Sequence, residues 1–298
     1  MRDGRPLPVG HVRGQTPATA RWALTAVAVA AAALAFAAGA EPTTSASSFD
    51  EKRAFALLRE QVELGPRPAG SAASRKLARR LRALLPNGRF QAVPGGLRNV
   101  IGVVPGRNPT RTIVVGAHYD TKDLPGFVGA NDGASGTAVV VELARTLRPR
   151  QLKPTFVFVL FDGEESPRGV PDTEFERYGL RGSKVAARAF KHAEAMILLD
   201  FVGDRDLSIP REANSNRRLW AKLRQAASRT GNGRTFPPRA SGGVIDDHVP
   251  FLRRGVPAID LIDFDFPCWH QRCDDLSAVS PRSLDSVGET VLELLRSL

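Results

Sequence analysis

The sequence predicts an α/β fold in which a mostly parallel central sheet is covered by helices on both faces and carries a zinc site at the carboxyl ends of its strands. Three observations predict it. Short continuous apolar runs, the pattern of strands buried on both faces, occur at Ile113-Val114-Val115-Gly116-Ala117, at Phe156-Val157-Phe158-Val159-Leu160-Phe161, at Met196-Ile197-Leu198-Leu199 and over residues 258–266. Segments with helical spacing alternate with these runs, which implies parallel strands joined by crossover helices. Each run also ends in acids or histidines: His118-Tyr119-Asp120, Asp162-Gly163-Glu164-Glu165, Asp200, and Cys268-Trp269-His270. Ligands of open α/β sheets sit at the carboxyl ends of the strands, so these side chains should converge. Carboxylates and imidazoles gathered in one cleft are the ligand set of a divalent cation, zinc before any other.

Taken in order, residues 49–64 space Phe55, Leu57, Leu58 and Val62 as a helix, which Gly65-Pro66-Arg67-Pro68 stops. Residues 71–85 read as a second helix, ended by Pro86-Asn87-Gly88, and residues 99–104 as a strand closing at Pro105-Gly106. After the His118 strand, the glycine-rich stretch 129–136 opens a helix over 137–147. Further amphipathic helices are expected over 183–192, 214–230 and 283–298.

The first forty residues differ in kind. Arg2, Arg5, Arg13 and Arg21 precede an uncharged alanine-rich stretch that ends Ala38-Gly39-Ala40. This is the pattern of an export signal with a small-residue cleavage site, and its length also suits an uncleaved signal anchor. Residues 41–48, rich in Thr and Ser, read as a linker, and 49–298 as the catalytic domain. We expect an exported protein, either secreted or tethered to a membrane by this segment. At 298 residues the chain is sized for one core.

The net charge of +11 invites a nucleic-acid reading, but the arginines are scattered along helices, as at Arg75, Arg79, Arg80 and Arg82, without interleaved stacking aromatics. No nucleic-acid partner is expected. Cys268 and Cys273 bracket Trp269-His270-Gln271-Arg272, where an oxidising compartment favours a bridge across the loop; two free thiols and thiolate metal ligands are the alternatives.

Each motif has a bland explanation. His118-x-Asp120 places both side chains on one face of an extended chain, so that the Asp can fix the imidazole tautomer as metal-bound histidines require, yet the pattern is common. Asp132 could be a helix N-cap, and Asp246-Asp247-His248 a cap with one solvated acid. Glu164-Glu165, two adjacent glutamates after a buried strand, suit packing poorly; one can bind metal while its neighbour serves as general base.

As a set, His118-x-Asp120, Gly-Ala-Asn-Asp132, Asp-Gly-Glu164-Glu165, Tyr178-Gly179-Leu180-Arg181-Gly182-Ser183, Leu-Leu-Asp200 and Asp-His248 with His270 resemble the zinc-dependent aminopeptidase superfamily, which also contains the animal-type glutaminyl cyclases. The segment Leu64-Gly65-Pro66-Arg67-Pro68-Ala69-Gly70-Ser71 extends the likeness. The resemblance implies one zinc on Asp132, Glu165 and His270. In the peptidases it implies a second on His118 and Asp200, with Asp132 bridging. It makes Glu164 the general base and Asp120 the group that orients His118.

Two branches share this set. The stretch from Asp246 through Val256-Pro257, followed by Phe266-Pro267 and Trp269-His270, is most similar to the glutaminyl cyclases. There Asp246 would join Asp200 in a carboxylate network, and Phe266 and Trp269 would line the substrate pocket. Cyclisation converts an N-terminal Gln of a peptide or protein to pyroglutamate with release of ammonia, using one zinc. Asn131 before Asp132 is the form of the aminopeptidases, which hydrolyse the first peptide bond with two zinc ions, and the absence of Trp from 166–170 and a loop before His270 shorter by one residue depart from the animal cyclases. A third class, a non-catalytic binding ectodomain on the same fold, leaves the intact Glu164 without a purpose.

Overall fold

A computed structural model describes residues 48–298. The expected export segment 1–40, and all but Ser48 of the linker, lie outside the described residues.

Six strands form one sheet: β1 (Arg89–Val93), β2 (Leu97–Val104), β3 (Asn108–His118), β4 (Pro154–Phe161), β5 (Ala195–Asp200) and β6 (Ala258–Ile262), in the order β1-β2-β4-β3-β5-β6. The four apolar runs are β3, β4, β5 and β6, and their mutual pairings are all parallel. The added pair, β1 and β2, is antiparallel within itself and to β4. The sequence reading finds β2 but not β1, whose residues are mostly half exposed and carry no buried-strand pattern. What makes this hairpin is the turn, where Gly95 and Gly96 both take positive φ (82° and 77°).

Helices α1 (Glu51–Glu63), α2 (Ala72–Leu84), α3 (Ala134–Thr146), α6 (Arg217–Arg229) and α8 (Pro281–Ser297) contribute to the larger apolar cluster, while α5 (Arg181–Ala189) and the short α7 (Val249–Leu252) contribute to the smaller. The alternation of strand side chains separates the two. Val115, Ala117, Phe156, Phe158, Leu160, Ile197 and Leu199 enter the first cluster, and Val114, Val157, Val159, Phe161, Met196 and Leu198 the second. The sheet is therefore buried on both faces, as continuous apolar runs require. Each such buried Val, Leu or Phe contributes roughly 1.5–3 kcal/mol. A further turn, α4 (Phe175–Tyr178), follows a 3₁₀ turn at Asp172–Glu174.

Two of the boundaries that differ from expectation bear on the site. Helix α3 begins at Ala134 rather than 137, because Gly133 at φ 85° ends the glycine-rich loop and small residues let the helix press on β5. A Cβ on Gly136 would stand 2.1 Å from the Leu199 carbonyl oxygen. Strand β6 stops at Ile262, before the run ends at Phe266. Phe266 turns inward, 4% exposed, and packs on Phe201 with ring centroids 5.9 Å apart. Among the described residues no helix is long and apolar enough to cross a membrane.

Candidate active site and metal centre

Parallel strands deliver the predicted residues to one edge of the sheet. His118 ends β3, Glu164 and Glu165 follow β4, Asp200 ends β5, and Asp132 lies in the loop before α3. The loop after β6 carries His270, whose backbone is left-handed (φ 52°) inside a ring closed by a Cys268–Cys273 disulfide. The bridge is thus present, and neither sulfur is free for metal.

The side chains meet. His118 Nε2 stands 3.2 Å from Asp132 Oδ1 and 3.3 Å from Asp200 Oδ1. His270 Nε2 stands 3.2 Å from Glu165 Oε1 and 3.5 Å from Asp132 Oδ2. Asp132 thus offers one oxygen to each triad, the arrangement of a bridging carboxylate, and both triads have metal-site spacing. All but His270 are buried.

The histidine tautomer tests the fit to a cation. His118 Nδ1 lies 3.1 Å from the main-chain carbonyl oxygen of Asp120, to which it donates. In the neutral ring this leaves a bare lone pair on Nε2 aimed at two carboxylates, and Nε2 has no hydrogen-bond partner. Only a proton or a metal ion makes that arrangement favourable. The same conflict shows in titration. Burial, and next the charge of Glu165, push Asp132 up to about 6. Burial works against protonation of His118, but Asp200, Asp120 and Asp132 outweigh it and raise its pKa well above the ordinary value. Carboxylates and imidazoles that compete for protons in a dry cleft are suited to zinc, which replaces the protons.

Asp120 acts differently from the expected pattern. Its main-chain carbonyl, not its carboxylate, meets His118; the nearest carboxylate oxygen is 3.8 Å from Nδ1. The carboxylate instead accepts the N–H groups of Gly163, Glu164 and Glu165 at 3.0–3.3 Å. It fixes the loop that carries both glutamates, helped by Gly163 at φ 78°.

A cavity of about 380 Å³ opens over the site and is lined by Glu164, Asp200, Asp246, Trp269 and His270 among others. Trp269 stacks on His270 with centroids 4.5 Å apart. Phe266 does not line it, contrary to the sequence reading; Phe264, half exposed and 5.4 Å from the Trp269 ring centroid, forms that wall. Asp246 and Asp247 are both buried, so neither is the solvated acid of a helix cap. Burial, then Asp200, pushes Asp246 up to about 7. Glu164 is raised well above the carboxylate range by burial and, second, by Glu165. Glu165 itself is lowered: His270 and Lys122 overcome its burial, with Lys122 Nζ 3.3 Å from Oε2.

Sequence reasoning missed the supports. The Asp274 carboxylate accepts the N–H of Asn131 (2.6 Å) and of Asp132 (3.0 Å). Arg67, fully buried, donates to the carbonyls of Tyr119, Val128 and Gly129 and pins the same loop. Asp260, inside the apolar run of β6, offered a signal in hindsight: an acid in a strand covered on both faces needs a partner.

A mostly parallel sheet with two metal-type triads sharing one aspartate at its carboxyl edge defines a zinc aminopeptidase-like fold. The chain belongs to peptidase family M28, whose sequence model matches residues 99–295, and so to the zinc-dependent aminopeptidase and glutaminyl cyclase superfamily. It is 28% identical over 219 residues to the glutaminyl-peptide cyclotransferase of Drosophila melanogaster, a match covering 61% of this chain and 59% of that protein. The structure superposes on a glutaminyl cyclase from an Acidobacteriales bacterium with a TM-score of 0.73, 31% identity and coverage of 87% of this chain and 97% of that one. It also superposes on a leucine aminopeptidase precursor from Bacteroides thetaiotaomicron VPI-5482 with a TM-score of 0.75, 28% identity and coverage of 85% and 99%.

Proposed function

We propose that the protein is a zinc-dependent glutaminyl-peptide cyclotransferase that acts on N-terminal Gln of peptides or proteins. The observation that carries this reading is Asp246, a buried acid in the cavity wall that shares the Asp200 side of the site. Hydrolysis of a peptide bond has no evident need of this extra acid, whereas ring closure must hold an amine and a carboxamide of one residue against each other.

Asp132, Glu165 and His270 would hold the ion, which supplies Lewis-acid polarisation of the side-chain carbonyl. Glu164, held protonatable by burial, takes a proton from the α-amine as its nitrogen bonds to the side-chain carbonyl carbon. The same proton returns to the departing nitrogen as the carbon–nitrogen bond breaks, and ammonia leaves. Asp200 and Asp246 position the amine and the carboxamide, while Trp269 and Phe264 cover the substrate and exclude water.

The intact His118–Asp132–Asp200 triad supports a second reading, an aminopeptidase with two ions, in which Glu164 takes the proton of an attacking water. Mass spectrometry of two peptides, one beginning with Gln and one with Leu, separates the readings. Chelator-sensitive loss of ammonia from the Gln peptide alone supports the cyclase, and loss of the whole first residue supports the peptidase. Export through residues 1–40 belongs to the same proposal.

A further inference from the structure

Behind Asp246 lies a chain of buried ionisable groups that the reaction above does not use. Glu212, His248 and Asp260 are each 0% exposed. His248 Nε2 stands 3.4 Å from Glu212 Oε2 and Nδ1 stands 3.5 Å from Asp260 Oδ2, and neither nitrogen has another partner. The facing atoms of His248, Asp260 and Asp246 lie within 4.8 Å of one another.

The glutamate is firmly anchored as an anion. Its Oε1 accepts the N–H of Asn214 and of Val244 and the Asn214 side-chain amide, and its Oε2 accepts the Ser215 hydroxyl. Burial opposes ionisation, but His248 and these N–H groups overcome it and hold the pKa at about 2. A neutral imidazole carries one N–H and one lone pair. Glu212, held as an anion, can only accept, so His248 donates to it from Nε2, and its Nδ1 faces Asp260. Asp260 and Asp246, facing each other with unpartnered oxygens, cannot both be ionised in such a setting. Burial, and next the charge of Asp246, raise Asp260 well above the ordinary carboxylate range, so a proton is shared within the cluster that His248 braces.

We propose that His248, clamped between Glu212 and Asp260, is a positioning residue for Asp246: it orients the Asp260 carboxyl group against which Asp246 is held, and so fixes the oxygen that Asp246 presents to the cavity. This rests on the reading above only in giving Asp246 a role in the reaction. Glu212 also ties down Val244 of the cavity wall, so activity loss alone would not distinguish positioning from scaffolding.

The test combines a spectroscopic and a kinetic measurement on the purified protein. Nitrogen-15 NMR, with His248 assigned by its loss in His248→Gln, should report a proton on Nε2 with and without chelator, and loss of that preference in Glu212→Gln. Glu212→Gln, which keeps the shape of the side chain, should lower kcat about 10-fold or more with KM within about twofold and zinc content unchanged. The Glu212→Gln/His248→Gln double variant should lose no more than the worse single variant, as groups acting in one chain do. A ring with no proton on Nε2, or a Glu212→Gln effect confined to KM, overturns the proposal. So does a metal ion on Asp246, His248 and Asp260, which would appear as an extra equivalent lost on His248→Gln. Turnover is read in whichever reaction, ring closure or hydrolysis, the native protein performs. A native protein that performs neither refutes the functional reading, while the ring protonation still decides this one.

Discussion

The Asp274 carboxylate holds the main-chain N–H of Asp132 at 3.0 Å and, with its other oxygen, that of Asn131 at 2.6 Å. The residue with an oxygen in both triads is thus placed by an acid four positions beyond His270, and the two loops of the metal centre brace each other. Asp274→Asn keeps the size but replaces one acceptor oxygen with a donor that faces an N–H group. Zinc affinity should fall about 10–100-fold, the usual cost of losing a partner that orients a ligand, while the folded protein persists. Titration with a competing zinc indicator measures it; unchanged affinity would show that Asp132 needs no such support.

Glu164 and Asp132 should separate turnover from metal retention. Glu164→Gln leaves both triads intact and should lower kcat by about 10²–10⁴, the range for loss of a general base, with zinc content unchanged. Asp132→Ala removes an oxygen from each triad and should lose both properties. Metal analysis beside the turnover assay checks the pair, and stoichiometric zinc in Asp132→Ala would refute the ligand assignment.

How legible the protein is in its sequence follows from what each residue does. The runs that became β3 to β6 are visible because a strand buried on both faces must be apolar throughout, and the ligands are visible because they terminate those runs. β1 carries no such signature, since one edge of a sheet asks little of its side chains. Phe266 was assigned to the pocket by the resemblance alone; the chain leaves the sheet at Ile262, and which side of the following loop faces the cavity is set by packing that spacing does not encode. Asp274, Arg67 and Glu212 act on main-chain groups or on other side chains distant in sequence, and spacing does not encode such contacts.

The pH dependence of stability seen without metal should be largely removed by zinc. Burial, and then Asp132 and Asp200 respectively, push Asp274 and Asp246 up to about 7 from an ordinary 3.8. Over that interval the folded protein holds protons that the unfolded chain has released. Stability therefore falls as pH rises from about 4 to about 7. The raised His118 and His270 add in the same direction, since their stabilising protons are lost as pH rises through their folded pKa values. Glu212, lowered to about 2, is ionised throughout in the folded protein, and its contribution is constant once the unfolded carboxylate has ionised, above about pH 5. Thermal melts of chelated protein should give a higher Tm at about pH 5 than at about pH 7.5, and zinc should restore most of the difference at the higher pH by taking the place of the lost protons. A chelated protein that grows more stable over this range would contradict the burial of these acids.

Reduction of the Cys268–Cys273 bridge should act on metal rather than on the fold. The bridge joins residues five apart, belongs to neither apolar cluster of the sheet and packs through Cys268 on the small group of Phe201, Ile262 and Phe266, and so short a closed loop contributes little chain entropy to global stability. Inside it, however, His270 is held at a φ of 52° that a non-glycine residue adopts only under constraint. Trp269 stacks on the ring, and Phe127 meets it edge-on from the Asp132 loop. Once the bridge opens, the backbone relaxes and Nε2 leaves its place beside Glu165. Treatment with a phosphine reductant that does not bind zinc should therefore speed zinc release to a chelator about tenfold or more, with the thermal transition of the chelated protein nearly unmoved. Cys268→Ser/Cys273→Ser should reproduce the effect without reductant. Equal release rates in the oxidised, reduced and double-serine forms would mean that packing by Trp269 and Phe127 is enough to hold the ligand.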